Sequence, residues 1–112
     1  MKLEVGMWYR STLGNIKKLT NEDLKFETIR YYCKSASYNI IDVLEVGDYV
    51  NGLRLEKNKY GELYTSYVYY GGDIGKQCEV YTNWLKEFKE DTIYSIVTKE
   101  QFEQMSYKVD DE

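Results

Sequence analysis

The chain has 112 residues, 43% of them hydrophobic and 30% charged, with a net charge of −4. That length fits one domain burying roughly two-thirds of its unfolded surface. No apolar run approaches the roughly 18 residues of a membrane span, and the N-terminus lacks a signal-peptide apolar core, so the expected location is the cytoplasm.

In chain order, residues 3–10 read as a first strand and residues 15–19 as its hairpin partner, anchored by Ile16 and Leu19. Thr20-Asn21-Glu22-Asp23 carries turn or helix-start chemistry, because short polar side chains cap free backbone N–H groups. Phe26, Thr28, Arg30 and Tyr32 then alternate with Glu27, Ile29, Tyr31 and Cys33, which predicts a strand over residues 25–34. Ser35-Ala36-Ser37 breaks it. Residues 39–44 predict one helical turn capped by Ser37, with a strand as the alternative, leading into Leu44-Glu45-Val46-Gly47, where Asp48 braces the turn. Tyr49-Val50 and Leu53-Arg54-Leu55 flank Asn51-Gly52, a pair that favours a tight hairpin. The alternative is one kinked strand with a bulge at Gly52.

Residues 60–70 form the strongest predicted strand, rich in Tyr, Thr and Val, stopping at Gly71-Gly72. Residues 76–82 pair back onto it. Trp84, Leu85 and Phe88 sit at helical spacing, predicting a short helix over 83–90. Both Trp8 and Trp84 are expected in the core. Residues 92–97 read as a strand, and Thr98-Lys99-Glu100-Gln101 as a capping box. A short helix follows with Phe102 and Met105 inward, Tyr107-Lys108-Val109 closes the sheet, and residues 110–112 fray.

Short strands, Gly turns and no Pro predict a mainly β (α+β) fold in a single domain over residues 1–109. Its expected form is a small, strongly bent sheet or SH3-like barrel with one or two short helices. Leu-Glu-Val-Gly occurs twice, at residues 3–6 and 44–47, and the copies read as equivalent strand entries in that domain.

The absence of His removes imidazole acid–base chemistry, the usual Ser and Cys triads and most transition-metal sites. Cys33 and Cys78 are too few for a four-cysteine zinc site and are expected as buried thiols rather than a disulfide. Gly71-Gly72-Asp73-Ile74-Gly75-Lys76 fails as a phosphate loop, since Tyr70 replaces the first Gly and Gln77 the Mg²⁺-binding Ser or Thr. No nucleophile, base and orienting group assemble, so neither an enzyme nor a cofactor is expected.

The 13 Tyr residues suit either strands with a half-polar core or a contact surface. Charge is uneven: residues 1–56 hold 8 basic and 8 acidic side chains, and residues 57–112 hold 7 and 11. An acidic second half disfavours nonspecific nucleic-acid binding and suits a basic protein partner.

Ser37-Tyr38-Asn39-Ile40-Ile41-Asp42-Val43-Leu44-Glu45-Val46-Gly47-Asp48-Tyr49-Val50-Asn51-Gly52 and Ser95-Ile96-Val97-Thr98-Lys99-Glu100-Gln101-Phe102-Glu103, with Tyr107-Lys108-Val109 and Leu3-Glu4-Val5-Gly6-Met7, resemble a family of small uncharacterised phage and prophage proteins of low-GC Gram-positive bacteria. The resemblance covers about a third of the chain and carries no catalytic residues. It implies an accessory protein of a mobile element. The leading expectation is therefore a non-catalytic inhibitor of a host defence factor, anti-CRISPR-like, whose partner is a CRISPR effector or other nuclease. Glu62, Asp73, Glu79, Glu87, Glu90 and Asp91 are the expected acidic contacts with its basic nucleic-acid-binding surface, and Tyr64, Tyr67, Tyr69 and Tyr70 the anchors. The alternatives are a nucleotide-signal binding protein and an SH3-like nucleic-acid-binding regulator.

Overall fold

Each Leu-Glu-Val-Gly copy folds as a tight turn that hands the chain into a strand. Met7 N donates to Glu4 O at 3.2 Å, and Asp48 N donates to Glu45 O at 3.1 Å. Gly6 and Gly47 hold φ at 91° and 95°, the left-handed region where a Cβ costs roughly 1–2 kcal/mol. The pairing that follows also repeats. Gly6 N donates to Leu19 O and Leu19 N to Met7 O, while Gly47 N donates to Leu55 O and Leu55 N to Asp48 O, all at 2.7–2.9 Å. Leu3 and Leu44 are buried ahead of the turns, and Leu19 and Leu55 where the chain returns. Val5 and Val46 face outward in both. The repeat is thus a unit of turn, strand and return.

The computed structural model describes residues 2–69 and 79–110. Its first elements are β1 (Trp8–Ser11), β2 (Ile16–Lys18), α1 (Asn21–Leu24), α2 (Glu27–Tyr31) and β3 (Cys33–Ser37), followed by a 3-10 turn over Ile40–Val43. Next come β4 (Tyr49–Val50), β5 (Leu53–Arg54), β6 (Glu56–Lys57), β7 (Leu63–Tyr69) and β8 (Glu79–Trp84). Two more 3-10 turns, Leu85–Glu87 and Glu90–Thr92, precede β9 (Ile96–Val97) and α3 (Lys99–Asp110).

The strands make three antiparallel three-stranded sheets, ordered β2-β1-β3, β5-β4-β9 and β6-β7-β8. The fold is mainly β with a few helices. Among the described residues strand pairing does not close the three sheets into one barrel. The two inner clusters follow the repeat. Leu3, Met7, Tyr9 and Leu19 form one, and Leu44, Val50, Leu55 and Leu85 the other.

Several local expectations hold for the reasons given. Thr20 caps α1 reciprocally with Asp23. Asn51 and Gly52 carry positive φ in the β4–β5 turn, and Thr98 exchanges bonds with Gln101 at the start of α3. Others do not. Residues 27–31 form α2 instead of a strand, and Ser35-Ala36-Ser37 lies inside β3, paired with β1, instead of breaking it. Phe26, Tyr31 and Tyr32 are exposed, while Ile29 and Cys33 pack partly against the first cluster. Asn39 rather than Ser37 caps the 3-10 turn; its Oδ1 accepts from Ile41 N. The helix expected over 83–90 is only the Leu85–Glu87 turn, because β8 runs on to Trp84. At the C-terminus, α3 continues through residues 107–109, which therefore add no strand. Phe102 and Met105 are exposed.

The molecule measures 60 × 42 × 26 Å, with a radius of gyration of 17.1 Å against about 13 Å for a compact chain of this length. The β7–β8 hairpin contributes to that length as an arm: beyond Thr65 on β7, and before Trp84 on β8, its described side chains are exposed. Among the described residues no helix is long and apolar enough to cross a membrane.

Candidate partner-binding surface

The body from which the arm extends is fixed by an ion network that joins the two repeat units. Arg10 leaves β1 fully buried and reaches the second turn. Its Nη1 donates to Asp48 Oδ2 at 2.5 Å and Val43 O at 2.9 Å; its Nη2 donates to Asp48 Oδ1 at 2.9 Å and Glu100 Oε1 at 2.6 Å. Asp48 also accepts from Glu45 N and Lys99 N, so one carboxylate caps the turn, anchors α3 and neutralises Arg10. Around this pair Glu45 and Glu100 share Lys34, and Glu45 also meets Lys99. Arg10 Nε stays without a hydrogen bond, 3.6 Å from Glu45 Oε2.

The charges hold one another ionised. Burial pushes the Glu100 carboxyl up, but Lys34, its own amide and Arg10 bring it down to about 2. Burial likewise opposes ionisation of Glu45, and Lys99, Lys34 and Arg10 overcome it. Three cations meet three anions in a tightly bonded set with little left for a ligand. Its role is to hold β1, the second turn and α3 together.

The arm is a different kind of surface. Cross-strand register sets Tyr67 opposite Tyr81 and Val68 opposite Val80. The two Tyr rings stack at 5.3 Å while staying 43% and 42% exposed, and Val68 and Val80 are 47% and 67% exposed. Side chains alternate across a strand, so both faces of the hairpin present apolar area. At its base Tyr64 and Trp84 pack tilted at 5.6 Å.

The predicted contacts divide among several places. Glu62 accepts from Asn58 Nδ2 and meets Lys86, both of which lower its pKa, and it lines a recess of about 240 Å³ beside Trp84 and Leu85. Glu87 lies by a second recess of about 370 Å³, formed by Asn51, Asn83, Trp84, Phe88 and Thr92. Glu90 accepts from Trp8 Nε1 at 2.7 Å and faces Lys18 at 3.5 Å, in a third cleft. Asp91 is exposed. Tyr69 and Glu79 are paired in register across the arm. Tyr70, Asp73 and Cys78 lie outside the described residues, as do Gly71-Gly72 and residues 111–112.

Among the described residues Glu62, Glu87 and Glu90 line different recesses, those of Glu62 and Glu87 sharing Trp84, while Tyr67 lies on the arm and Tyr64 at its base. Trp8 and Trp84 are half-buried, each lining a recess instead of filling the core. Sequence reasoning missed Val68, Val80 and Tyr81 as exposed arm residues. The available signal was the length of the 60–70 strand, which outruns the body it packs on. Arg10 was also missed, with only its place in an apolar strand to mark it. Cys33 is a half-buried thiol whose pKa is raised by burial.

Among the described residues no group of three Cys, Asp or Glu is arranged to hold a metal ion. Compared with models of known families, curated proteins and solved structures, the chain finds no match.

Proposed function

We propose that this chain is a non-catalytic binding protein of a phage or prophage that inhibits a host defence factor in the cytoplasm, in the manner of anti-CRISPR proteins. The observation that carries the reading is the arm, whose paired Tyr67/Tyr81 and Val68/Val80 are exposed on both strands. A lone two-stranded segment is marginal in water, and a partner covering its aromatic and branched side chains stabilises it. Glu87 and Asp91, exposed near its base, steer a basic surface toward it. The partner is accordingly a CRISPR effector or other nuclease with a basic nucleic-acid channel. We read the sheet layout, at the same level, as an SH3-like arrangement, strongly bent and open.

Expression in bacteria armed with a CRISPR or other nuclease defence tests this. The expected result is restored phage plating and co-purification of the effector with the tagged chain, weakened by salt. Normal defence and no specific partner would contradict it.

A second reading follows from the cleft beside Trp8. It holds about 290 Å³ between Trp8 and Tyr94, with Ile16, Ile40, Ile93 and Ile96 among its lining. An aromatic-walled cleft of this kind suits a nucleotide signal. Thermal shift with cyclic nucleotides and ADP-ribose derivatives separates the two readings, because a ligand bound only by the folded state raises its apparent stability.

A further inference from the structure

The arm has an edge as well as two faces. In the order β6-β7-β8, β8 is outermost, and among the described residues no strand lies on its other side. It carries no Lys and no Pro over its six residues, the usual guards against edge pairing. Beside its last residues lies the recess formed by Asn51, Asn83, Trp84, Glu87, Phe88 and Thr92. That recess takes two residues from β8 and none from β7. Its carboxylate, Glu87, is exposed and belongs to a chain of net charge −4. Its apolar walls are Trp84 and Phe88, aromatic rings that attract a cation.

We propose that the outer edge of β8 over residues 82–84 accepts an added strand from a basic partner, with one Arg or Lys side chain of that strand seated between Trp84, Phe88 and Glu87. This rests on the binding reading above and specifies its mode. Main-chain hydrogen bonds along the edge supply sequence-independent affinity, and the recess supplies selectivity for one cationic side chain. An Arg guanidinium fits best, since it stacks on an aromatic face while its N–H groups reach a carboxylate. The charge of the recess disfavours a second copy of this acidic chain as the occupant.

The test titrates the isotopically labelled full chain with synthetic extended peptides and follows its backbone amide shifts. One peptide alternates Arg with Thr and Val; a second replaces Arg by Glu; a third carries N-methyl groups on alternate backbone amides. The Arg peptide is expected to move the amides of Thr82, Asn83 and Trp84, and the N-methylated and Glu peptides to leave them unmoved. Glu87→Gln should weaken the Arg peptide about threefold, in line with an exposed ion pair. Glu87→Lys should reverse the preference toward the Glu peptide, and this exposed position leaves folding intact.

Three outcomes overturn the proposal: no shift on β8 at millimolar Arg peptide, binding indifferent to N-methylation, or shifts confined to another face. Plating on defence-armed hosts distinguishes the two levels. Restored plating with no peptide binding removes the edge mode and leaves the inhibitor reading. Peptide binding without restored plating supports the edge and removes the inhibitor.

Discussion

Arg10 and Asp48 meet as a doubly bonded ion pair at 2.5 and 2.9 Å, both fully buried, one in the first repeat unit and one in the second. Asp48 occupies the same turn position as Met7, and each side chain accepts from the amide that opens its turn: Glu4 N for Met7 Sδ, Glu45 N for Asp48 Oδ2. One turn carries an apolar residue at that position and the other a carboxylate. The carboxylate gives the first unit's Arg10 its counter-ion.

Removing one partner of such a pair leaves a buried charge uncompensated, at roughly 3–5 kcal/mol. Asp48→Ala should lower the unfolding free energy by about that amount, read from urea denaturation. Replacing both residues, as in Arg10→Met with Asp48→Leu, should recover part of the loss, because two apolar side chains need no ionic partner. A double variant no more stable than Asp48→Ala would show that the other bonds of Asp48, to Glu45 N and Lys99 N, dominate.

Acid should act on the same network through Glu100. Its carboxyl titrates near 2 in the folded chain, against an unfolded value near 4.5. A depressed carboxyl binds fewer protons folded than unfolded, so its contribution is full above the unfolded value and is lost as pH falls toward 2. The contribution is on the order of 3 kcal/mol, shared with Lys34 and Arg10. Glu100→Gln should lower stability at neutral pH and flatten the loss between pH 4.5 and 2, measured by thermal melts across that window.

The repeat predicts a matched pair of costs. A Cβ at Gly6 or Gly47 meets nothing closer than 3.5 Å, so substitution strains the backbone without a clash. Gly6→Ala and Gly47→Ala should each cost about 1 kcal/mol, and the double variant close to the sum, by denaturant midpoint. Unequal costs would indicate that the two turns are not equivalent.

Features set by near neighbours were legible in the sequence. Capping by Thr20 and Thr98, the Asn51-Gly52 bend and the two Leu-Glu-Val-Gly entries all depend on residues within a few positions. The bracing role of Asp48 was legible for the same reason, whereas its pairing with Arg10 is set by tertiary packing that no local pattern carries. Periodicity misled over residues 25–34, where exposed Phe26 and Tyr31 imitate an alternating strand while Ile29 and Cys33 pack partly against the first cluster. It misled again over 107–109, since aromatic and β-branched residues continue a helix already nucleated by the Thr98 cap. The candidate surface was half legible: Tyr67 and Glu87 lie on the arm and its recess, but strand register, not composition, decides which Tyr residues face outward.

On the proposed reading the arm is the working surface and the Arg10–Asp48 network only its support. Replacing Tyr67, Val68 and Val80 together by Thr keeps strand propensity while removing the exposed apolar area. The decisive measurement is phage plating on a CRISPR-armed host, compared between the native chain and this variant at equal thermal stability. The native chain should restore plating and the variant should not; equal plating with both would mean that the arm's apolar area is not the working surface.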